Sequence, residues 1–543
     1  MKRFSFLKLV AVFVLVAGFN QSCTNLDEEV FSQLTSSNTD LTQLTQDQLE
    51  SAIADPYTVL NAIGSHNSFY SLQLVSGDDI LIPHRGADWE DGGQWLRVNR
   101  HDYQSTEQAV GNGWNLLYQG VMKCNFVIDL LESLKGASIF DDADLTKRQS
   151  EMRGLRAYFY YWLMDMYGNI PLVTQFEIDD PAPATQSRQA VYDFITSELS
   201  EIKAALDKPT SAGAAYTFNY WAARALEARV FLNAEVYTGT AQWQASLDAA
   251  NDVINNGPFS LESDYFVNFN ESNEGSSENI MTVPCDASIA GGFNIAQMTL
   301  HYISQETFSL AEQPWNGYCA LQEFYDSYDD ADARKGVSGD QSVRGNFHAG
   351  PQYKADGVTP IVDPSVEGWK LDGTSYIVDP DYDAALPSDP DGAEIVFTPE
   401  INEVAPNALR QAGARIGKYE YASGAQSSLN NDFVLFRLAE VILNAAEAQY
   451  RLGNTANALA LVNQVRSRAS LADFASLDDA SLLAERGREL FYEGNRRSDL
   501  IRFGEYNRAW FGKSSASDAT KNLFPIPFDQ LQANPNLTQN PGY

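Results

Sequence analysis

The chain has 543 residues, of which 44% are hydrophobic, and 72 acidic against 37 basic side chains give it a formal charge of −35 at pH 7. This excess of negative charge argues against nucleic acid and strongly anionic polysaccharides as ligands, and it favours a neutral ligand. Four cysteines are too few for a disulfide scaffold, so the fold must depend on its hydrophobic core.

The N-terminus has the layout of a secretion signal. Lys2, Arg3 and Lys8 precede an unbroken apolar run over residues 9–19, which is too short to span a bilayer. The run ends shortly before Cys23, where signal cleavage and lipidation would follow. We therefore predict a signal peptide over residues 1–22, lipidation of Cys23 and a polar tether over residues 23–40. The alternative is an ordinary cleaved signal with an incidental cysteine.

Helical periodicity dominates the next part of the chain. Apolar residues recur at three- and four-residue steps over residues 114–131 and 152–166, which predicts two amphipathic helices. The second ends at a breaker cluster that begins with Gly168. A further helix is predicted over residues 191–206.

Two later helix pairs resemble each other. They cover residues 219–237 with 242–255, and residues 434–452 with 456–469. The second pair has Gly453 at its turn and small residues at spacings typical of a tetratricopeptide repeat. Stacked helix pairs of this kind would form a scaffold. A coincidental helix hairpin is the alternative.

We expect a mainly α fold in one compact unit. Residues 41–259 and 433–543 form the predicted tetratricopeptide-like scaffold, and residues 260–432 form a loop-rich segment broken by Gly, Pro and Asp. Long loops on a rigid scaffold often carry binding sites. Strand-like fragments occur within this segment, and disorder is the alternative for residues 356–399.

No catalytic or metal-binding signature is present in the sequence. The five histidines show no metal-ligand spacing, and GxSxG, Walker and GxGxxG motifs are missing. Aspartates between positions 379 and 391 hint at calcium, but the EF-hand frame is missing, and a solvated acidic loop is the preferred interpretation. Nothing singles out two of the 72 acids as a glycosidase pair. The sequence therefore predicts no enzyme, no cofactor and no bound metal.

Two polar-aromatic clusters, over residues 76–103 and 313–321, are candidate glycan-binding loops. Aromatic rings stack on the apolar faces of sugars, and charged side chains bind sugar hydroxyls through strong hydrogen bonds. The candidate ligand residues are Asp78, Arg85, Asp88, Trp89, Trp95, Tyr103, Trp315, Asn316, Tyr318 and Cys319. For each tryptophan, the alternative is a buried position in the core.

Three segments resemble hallmark segments of the SusD/RagB family. They are residues 154–173 (GLRAYFYYWLMDMYGNIPLV), 486–504 (RGRELFYEGNRRSDLIRFG) and 523–543 (LFPIPFDQLQANPNLTQNPGY). The resemblance runs in order from Cys23 to the last residue. It implies a glycan-binding lipoprotein on the outer surface of the outer membrane, where it forms a lid over a SusC-like TonB-dependent barrel that imports oligosaccharides.

The hallmark segments are predicted to be structural. Their charged residues form a predicted ion-pair network of Arg488, Glu489, Glu493, Arg496, Arg497, Asp499 and Arg502. Ligand-binding loops differ between family members, so no ligand residue is transferred from the motifs. The leading hypothesis is a non-enzymatic receptor for an oligosaccharide or polysaccharide. The alternatives are a surface glycoside hydrolase and a tetratricopeptide-like adaptor that binds proteins.

Overall fold

The computed structural model describes residues 44–137, 140–177, 181–213, 215–289, 291–363, 369–372, 375–378 and 393–543. The predicted signal peptide, Cys23, the tether and the aspartates between positions 379 and 391 lie outside the described residues. Residues 53–543 form one compact unit, to which the features below belong except for the first part of α1.

Helices supply most of the regular structure. In chain order they are α1 (Gln46–Thr58), α2 (Phe69–Val75), α3 (Gln94–Arg100), α4 (Gln108–Leu134), α5 (Asp142–Tyr167), α6 (Arg188–Ile202), α7 (Tyr220–Leu232), α8 (Ala234–Thr238), α9 (Trp243–Asn256), α10 (Ile295–Thr299), α11 (Ser304–Phe308), α12 (Gln322–Asp326), α13 (Leu438–Arg451), α14 (Thr455–Arg468), α15 (Asp479–Glu489), α16 (Arg496–Arg502) and α17 (Phe528–Ala533). The mainly α fold is thus confirmed.

The strands are short and pair antiparallel in twos. They are β1 (Ile80–Leu81), β2 (Ile170–Pro171), β3 (Thr185–Gln186), β4 (Asn279–Val283), β5 (Cys319–Ala320), β6 (Phe347–His348), β7 (Gly350–Pro351), β8 (Val362–Asp363), β9 (Trp369–Asp372), β10 (Ser375–Val378), β11 (Ala393–Glu394), β12 (Val396–Phe397), β13 (Arg415–Ile416) and β14 (Phe433–Arg437). No helix in the described ranges is both long and apolar enough to cross a membrane.

The long helices α4 and α5, both predicted from the periodicity, pack against each other. The Asp141 carboxylate caps the start of α5 by accepting hydrogen bonds from the next backbone amides. Close approach of the two helices requires Gly120, because a Cβ atom there would lie 2.5 Å from the Phe159 ring. The pair is therefore fixed by shape as well as by hydrophobic burial.

The two predicted helix pairs are present as α7 with α9 and α13 with α14, and α9 also packs on α13. A buried salt bridge of 2.6 Å between Arg229 and Glu440 links the first pair to the second. One boundary is wrong, because Phe433–Arg437 is strand β14, paired with β4. The backbone of these five residues is buried and needs hydrogen-bond partners. It forms them with strand β4 instead of in an additional turn of α13.

The loop-rich segment is tied to the scaffold by a network of buried charges. Arg437 forms salt bridges with Glu278 and Glu489 at 2.7 and 2.6 Å, and Arg334 bridges Glu485 and Glu489 at 2.8 and 2.9 Å. All five side chains are fully buried. Of the ion-pair network predicted for the hallmark segment, Arg488, Glu489 and Glu493 join this group, whereas Arg496, Arg497, Asp499 and Arg502 form separate ion pairs. The group also reaches β14 and the loops before β4 and β6.

We expect Glu489→Ala to lower the free energy of unfolding by about 3–5 kcal/mol, because it leaves buried guanidinium groups without their shared carboxylate. Lys354→Ala is the control, since the Lys354–Glu306 pair is half exposed and such pairs contribute only about 0–1 kcal/mol. Denaturant unfolding of both variants measures the difference. Equal losses would mean that the network contributes no more than a surface pair.

The same network predicts a loss of stability in acid. Burial opposes ionisation of Glu485, but Arg334 and its neighbours outweigh burial and lower the pKa of Glu485 to about 2. The stabilisation is complete above the ordinary Glu pKa of ~4.3 and is lost as the pH falls from there towards 2. A Glu485→Gln variant should lose less stability than the wild type over this pH interval, measured by denaturant unfolding. An identical pH profile for the two proteins would contradict the assignment.

Candidate functional site

Strand pairing brings the two candidate loops together. In the β1–β5 ladder Ile80 lies opposite Ala320 and Leu81 lies opposite Cys319. The amide of Leu321 donates to the carbonyl of Asp79 at 3.0 Å, which continues the contact by one residue. The loops over residues 76–103 and 313–321 therefore meet on one side of the unit, although they are far apart in sequence.

Three rings from separate segments form an accessible group where the loops meet, which we call the aromatic cluster: His66, Trp89 and Trp315. The ring centroids of Trp89 and Trp315 are 6.5 Å apart, and His66 lies 6.0 and 5.0 Å from them. The Trp89 indole N–H donates to the Trp315 carbonyl at 2.6 Å. Both tryptophans are half-buried and His66 is exposed, so part of each ring remains open to a ligand.

The backbone around the aromatic cluster adopts conformations that side chains usually avoid. Trp89 has φ of 60° and Asn316 has φ of 57°, both in the left-handed region. Gly317 allows the Trp89 ring to lie against the chain, because a Cβ atom there would be 2.4 Å from Cε2 of Trp89. Strained residues persist where the surroundings fix them, and such positions concentrate at binding sites.

Two buried arginines fix the loop that carries Trp315. Arg85 donates through Nε to the Asn316 carbonyl at 2.9 Å, and Arg415 donates through Nη2 to the Asn316 side-chain oxygen at 2.8 Å. Both arginines also donate hydrogen bonds to backbone carbonyls, such as that of Ala412. Arg85 and Asn316 were predicted to contact a ligand. In the structure they are buried and hold the loop that carries Trp315 in place.

A polar group borders the aromatic cluster. The Tyr302 hydroxyl donates to the carboxylate of Asp88, and the guanidinium of Arg410 lies 5.0 Å from the Tyr302 ring centroid. Burial and the hydrogen bond to Asp88 raise the pKa of Tyr302 to about 12, so the hydroxyl remains a donor at neutral pH. Asp88 is exposed and directly precedes Trp89 in the chain, so a hydrogen-bonding carboxylate is next in sequence to one ring of the cluster.

The remaining candidate aromatics are core residues. Trp95 and Tyr318 are each 1% exposed and Tyr103 is 2% exposed. Their polar atoms bond inside the protein, with Trp95 donating to Asp91 at 2.8 Å and Tyr318 to Ser71 at 2.8 Å. Large rings gain most by complete burial when their polar atoms keep a partner. In this structure they therefore offer no free face for a sugar.

Two further candidates also have structural positions. Asp78 is buried and forms salt bridges with Arg496 at 2.6 Å and with Arg508 at 2.5 Å, while Cys319 is fully buried in β5. A carboxylate enclosed by two guanidinium groups is already neutralised. Of the ten predicted ligand residues, the structure leaves Asp88, Trp89 and Trp315 accessible.

His66, Tyr302 and Arg410 were not among the predicted site residues. Each comes from a segment without a glycine-rich or tryptophan-containing pattern, so no local signal distinguishes them. Tertiary packing alone brings them to the aromatic cluster. Among the described residues, no group of three or more His, Cys, Asp or Glu side chains could hold a metal ion.

We expect Gly317→Ala to destabilise the protein by about 1–3 kcal/mol, because the new methyl group would overlap the Trp89 ring and the Met298 carbonyl. Gly275→Ala is the control, since that glycine is exposed and has open space around its Cα. Denaturant unfolding measures both. Equal stability of the two variants would show that the Trp89 ring is not held against Gly317.

Comparison with known sequences finds two families that match separate parts of the chain. A family described as "SusD family" matches residues 411–543, and one described as "Starch-binding associating with outer membrane" matches residues 36–232. The "Starch-binding protein SusD" of Bacteroides thetaiotaomicron is 27% identical over 487 residues, which cover 84% of this chain and 82% of that protein.

Solved structures share the fold. A SusD superfamily protein from Parabacteroides distasonis superposes with a TM-score of 0.71 at 19% identity, covering 92% of this chain and all of that one. Surface glycan-binding protein A from Bacteroides thetaiotaomicron, solved in complex with laminarihexaose, has a TM-score of 0.68 at 20% identity, with the same coverage. At these identities the likeness concerns the architecture.

Proposed function

The chain belongs to the SusD/RagB family, and on this premise we propose that it is a non-enzymatic surface protein that captures a neutral oligosaccharide or polysaccharide. The observation that carries the proposal is the aromatic cluster, with two half-exposed tryptophans beside a Tyr302–Asp88 pair. Related proteins named for starch and for surface glycans support this ligand class.

The geometry explains how such a ligand would be held. The indole rings of Trp89 and Trp315 can stack on the apolar faces of sugar units, while the carboxylate of Asp88 accepts hydrogen bonds from their hydroxyls. The hydrogen bonds from Arg85 and Arg415 to Asn316 fix the loop that carries Trp315 before a ligand arrives, which lowers the entropy cost of binding.

We expect Trp89→Ala and Trp315→Ala each to weaken binding of a neutral glycan about 5- to 150-fold, as truncation of a ring that anchors a ligand costs ~1–3 kcal/mol. Trp243→Ala is the matched control, because Trp243 is also half-buried but begins α9 outside the aromatic cluster. Titration calorimetry with starch, laminarin and other neutral polysaccharides measures affinity, and melting temperatures verify folding.

Two outcomes of this experiment would contradict the proposal. If both cluster variants bind as tightly as the Trp243→Ala control, the rings do not contact the glycan. If the wild type releases new reducing ends from the polysaccharide that it binds, the chain is a glycoside hydrolase and not a receptor.

We further propose that lipid on Cys23 anchors the chain to the outer surface of the outer membrane, where it delivers glycan to a SusC-like TonB-dependent transporter. The signal pattern of residues 1–23 supports the anchor. Family membership supports the transporter partner.

We expect Cys23→Ala to yield a folded protein that leaves the membrane fraction, because residues 53–543 form their own compact unit with its own core. Fractionation of cells that lack the transporter measures anchoring without the partner, and the melting temperature measures folding. The conservative variant Cys285→Ala is the control for loss of a thiol. Retention of Cys23→Ala in the outer membrane of these cells would contradict the lipid anchor.

A further inference from the structure

A cleft of about 580 Å³ lies beside the aromatic cluster and has an uncharged, hydrogen-bonding lining. One wall is the exposed face of the first turns of α4, with Asn112, Asn115 and Gln119 at helical spacing. The opposite wall contains Ser65 and Asn67. We call this surface the amide cleft.

The absence of charge along this wall is unusual for this chain. Residues 108–122 contain no Asp, Glu, Lys or Arg, although one residue in five of the whole chain is charged. Exposed helix faces normally carry charges for solubility. A neighbouring cleft is lined by charged residues that include Asp91, Arg97 and Glu107, so the lack of charge does not extend to that cleft.

His66 connects the amide cleft to the aromatic cluster. Its ring lies 5.0 Å from that of Trp315 and also lines the amide cleft. Partial desolvation of the exposed His66 ring by the surrounding protein lowers its pKa, which favours the neutral imidazole at physiological pH. A chain leaving the Trp315 ring would therefore meet His66 and then the carboxamides without passing a charged group of the lining.

The carboxamides have hydrogen-bonding capacity left for a ligand. The Gln119 side chain makes no hydrogen bond to the described residues, and the Asn115 side-chain oxygen accepts one from Gln530, which leaves the Asn115 NH2 group available. Asn112 donates one to the Asn67 carbonyl, which leaves its own oxygen available. An amide offers both donors and acceptors, as a sugar hydroxyl does, and burying it costs less than burying a charge.

We infer that the amide cleft is a second subsite, which binds sugar units of an uncharged glycan that extend beyond those stacked on the aromatic cluster. The inference rests on the proposed function and adds to it the path and the chemical class of the ligand. Asn112 and Gln119 are seven residues apart, or ~10 Å along the helix, so the subsite has room for more than a terminal group. Longer chains should accordingly bind more tightly than short ones.

The test uses the double variant Asn115→Ala/Gln119→Ala, with Gln464→Ala as the matched control. Gln464 is also an exposed glutamine whose side chain makes no hydrogen bond to the described residues, but it lies on α14 and lines a separate cleft. Alanine favours the helix, so all variants should fold. The full chain is titrated with starch, laminarin and a panel of neutral polysaccharides, and then with oligosaccharides of increasing length from the glycan that binds.

The double variant should bind the shortest effective oligosaccharide like the wild type, but lose about 5- to 30-fold in affinity for longer ones, as expected for one or two lost hydrogen bonds. The control should match the wild type at every length. Unchanged affinity of the double variant for long chains, or no gain with length in the wild type, overturns the subsite but leaves the proposed function intact. Failure of the wild type to bind any glycan overturns both.

Discussion

The buried carboxylate of Glu489 is the interaction on which the rest of the structure depends. It lies between the guanidinium groups of Arg334, Arg437 and Arg468, which come from the loop-rich segment, from β14 and from the end of α14. Transfer of such charges from water is costly, and their mutual attraction offsets that cost only when each partner is in place. The network therefore favours one particular packing of these segments as much as it stabilises the fold.

This constraint explains how a segment with little regular structure can carry a precise site. Its strands are mostly two residues long, and few loops have a ladder to support them. Hydrogen bonds from charged side chains hold these loops instead, as those of Arg85 and Arg415 hold Asn316. Each guanidinium offers five donors in a fixed plane and can thus fix several loop carbonyls at once. The left-handed conformation of Asn316 persists because these bonds hold it, and the Trp89 side chain is held by its own hydrogen bond to the Trp315 carbonyl.

The sequence predicted the scaffold better than the site, for a physical reason. Helices such as α4 and α5 are specified by apolar spacing within one segment, so periodicity alone finds them. The strand over residues 433–437 was missed because its apolar residues continue the pattern of α13, and only its partner β4 distinguishes the two. At the site, Trp89 and Trp95 have similar polar neighbours in sequence, yet one is half-exposed and the other is in the core.

The charge of the chain acts differently on anionic and on neutral ligands. The whole chain repels anionic polymers, and this long-range effect acts on any glycan that approaches. In the amide cleft the requirement changes, because a charged side chain must lose its hydration before a neutral sugar can replace the water. A cleft lined by imidazole, hydroxyl and carboxamide groups avoids that cost, and the Asp88 carboxylate at the aromatic cluster remains the charged contact. The acidic surface as a whole thus disfavours anionic ligands. The uncharged lining of the amide cleft separately lowers the desolvation cost of binding a neutral one.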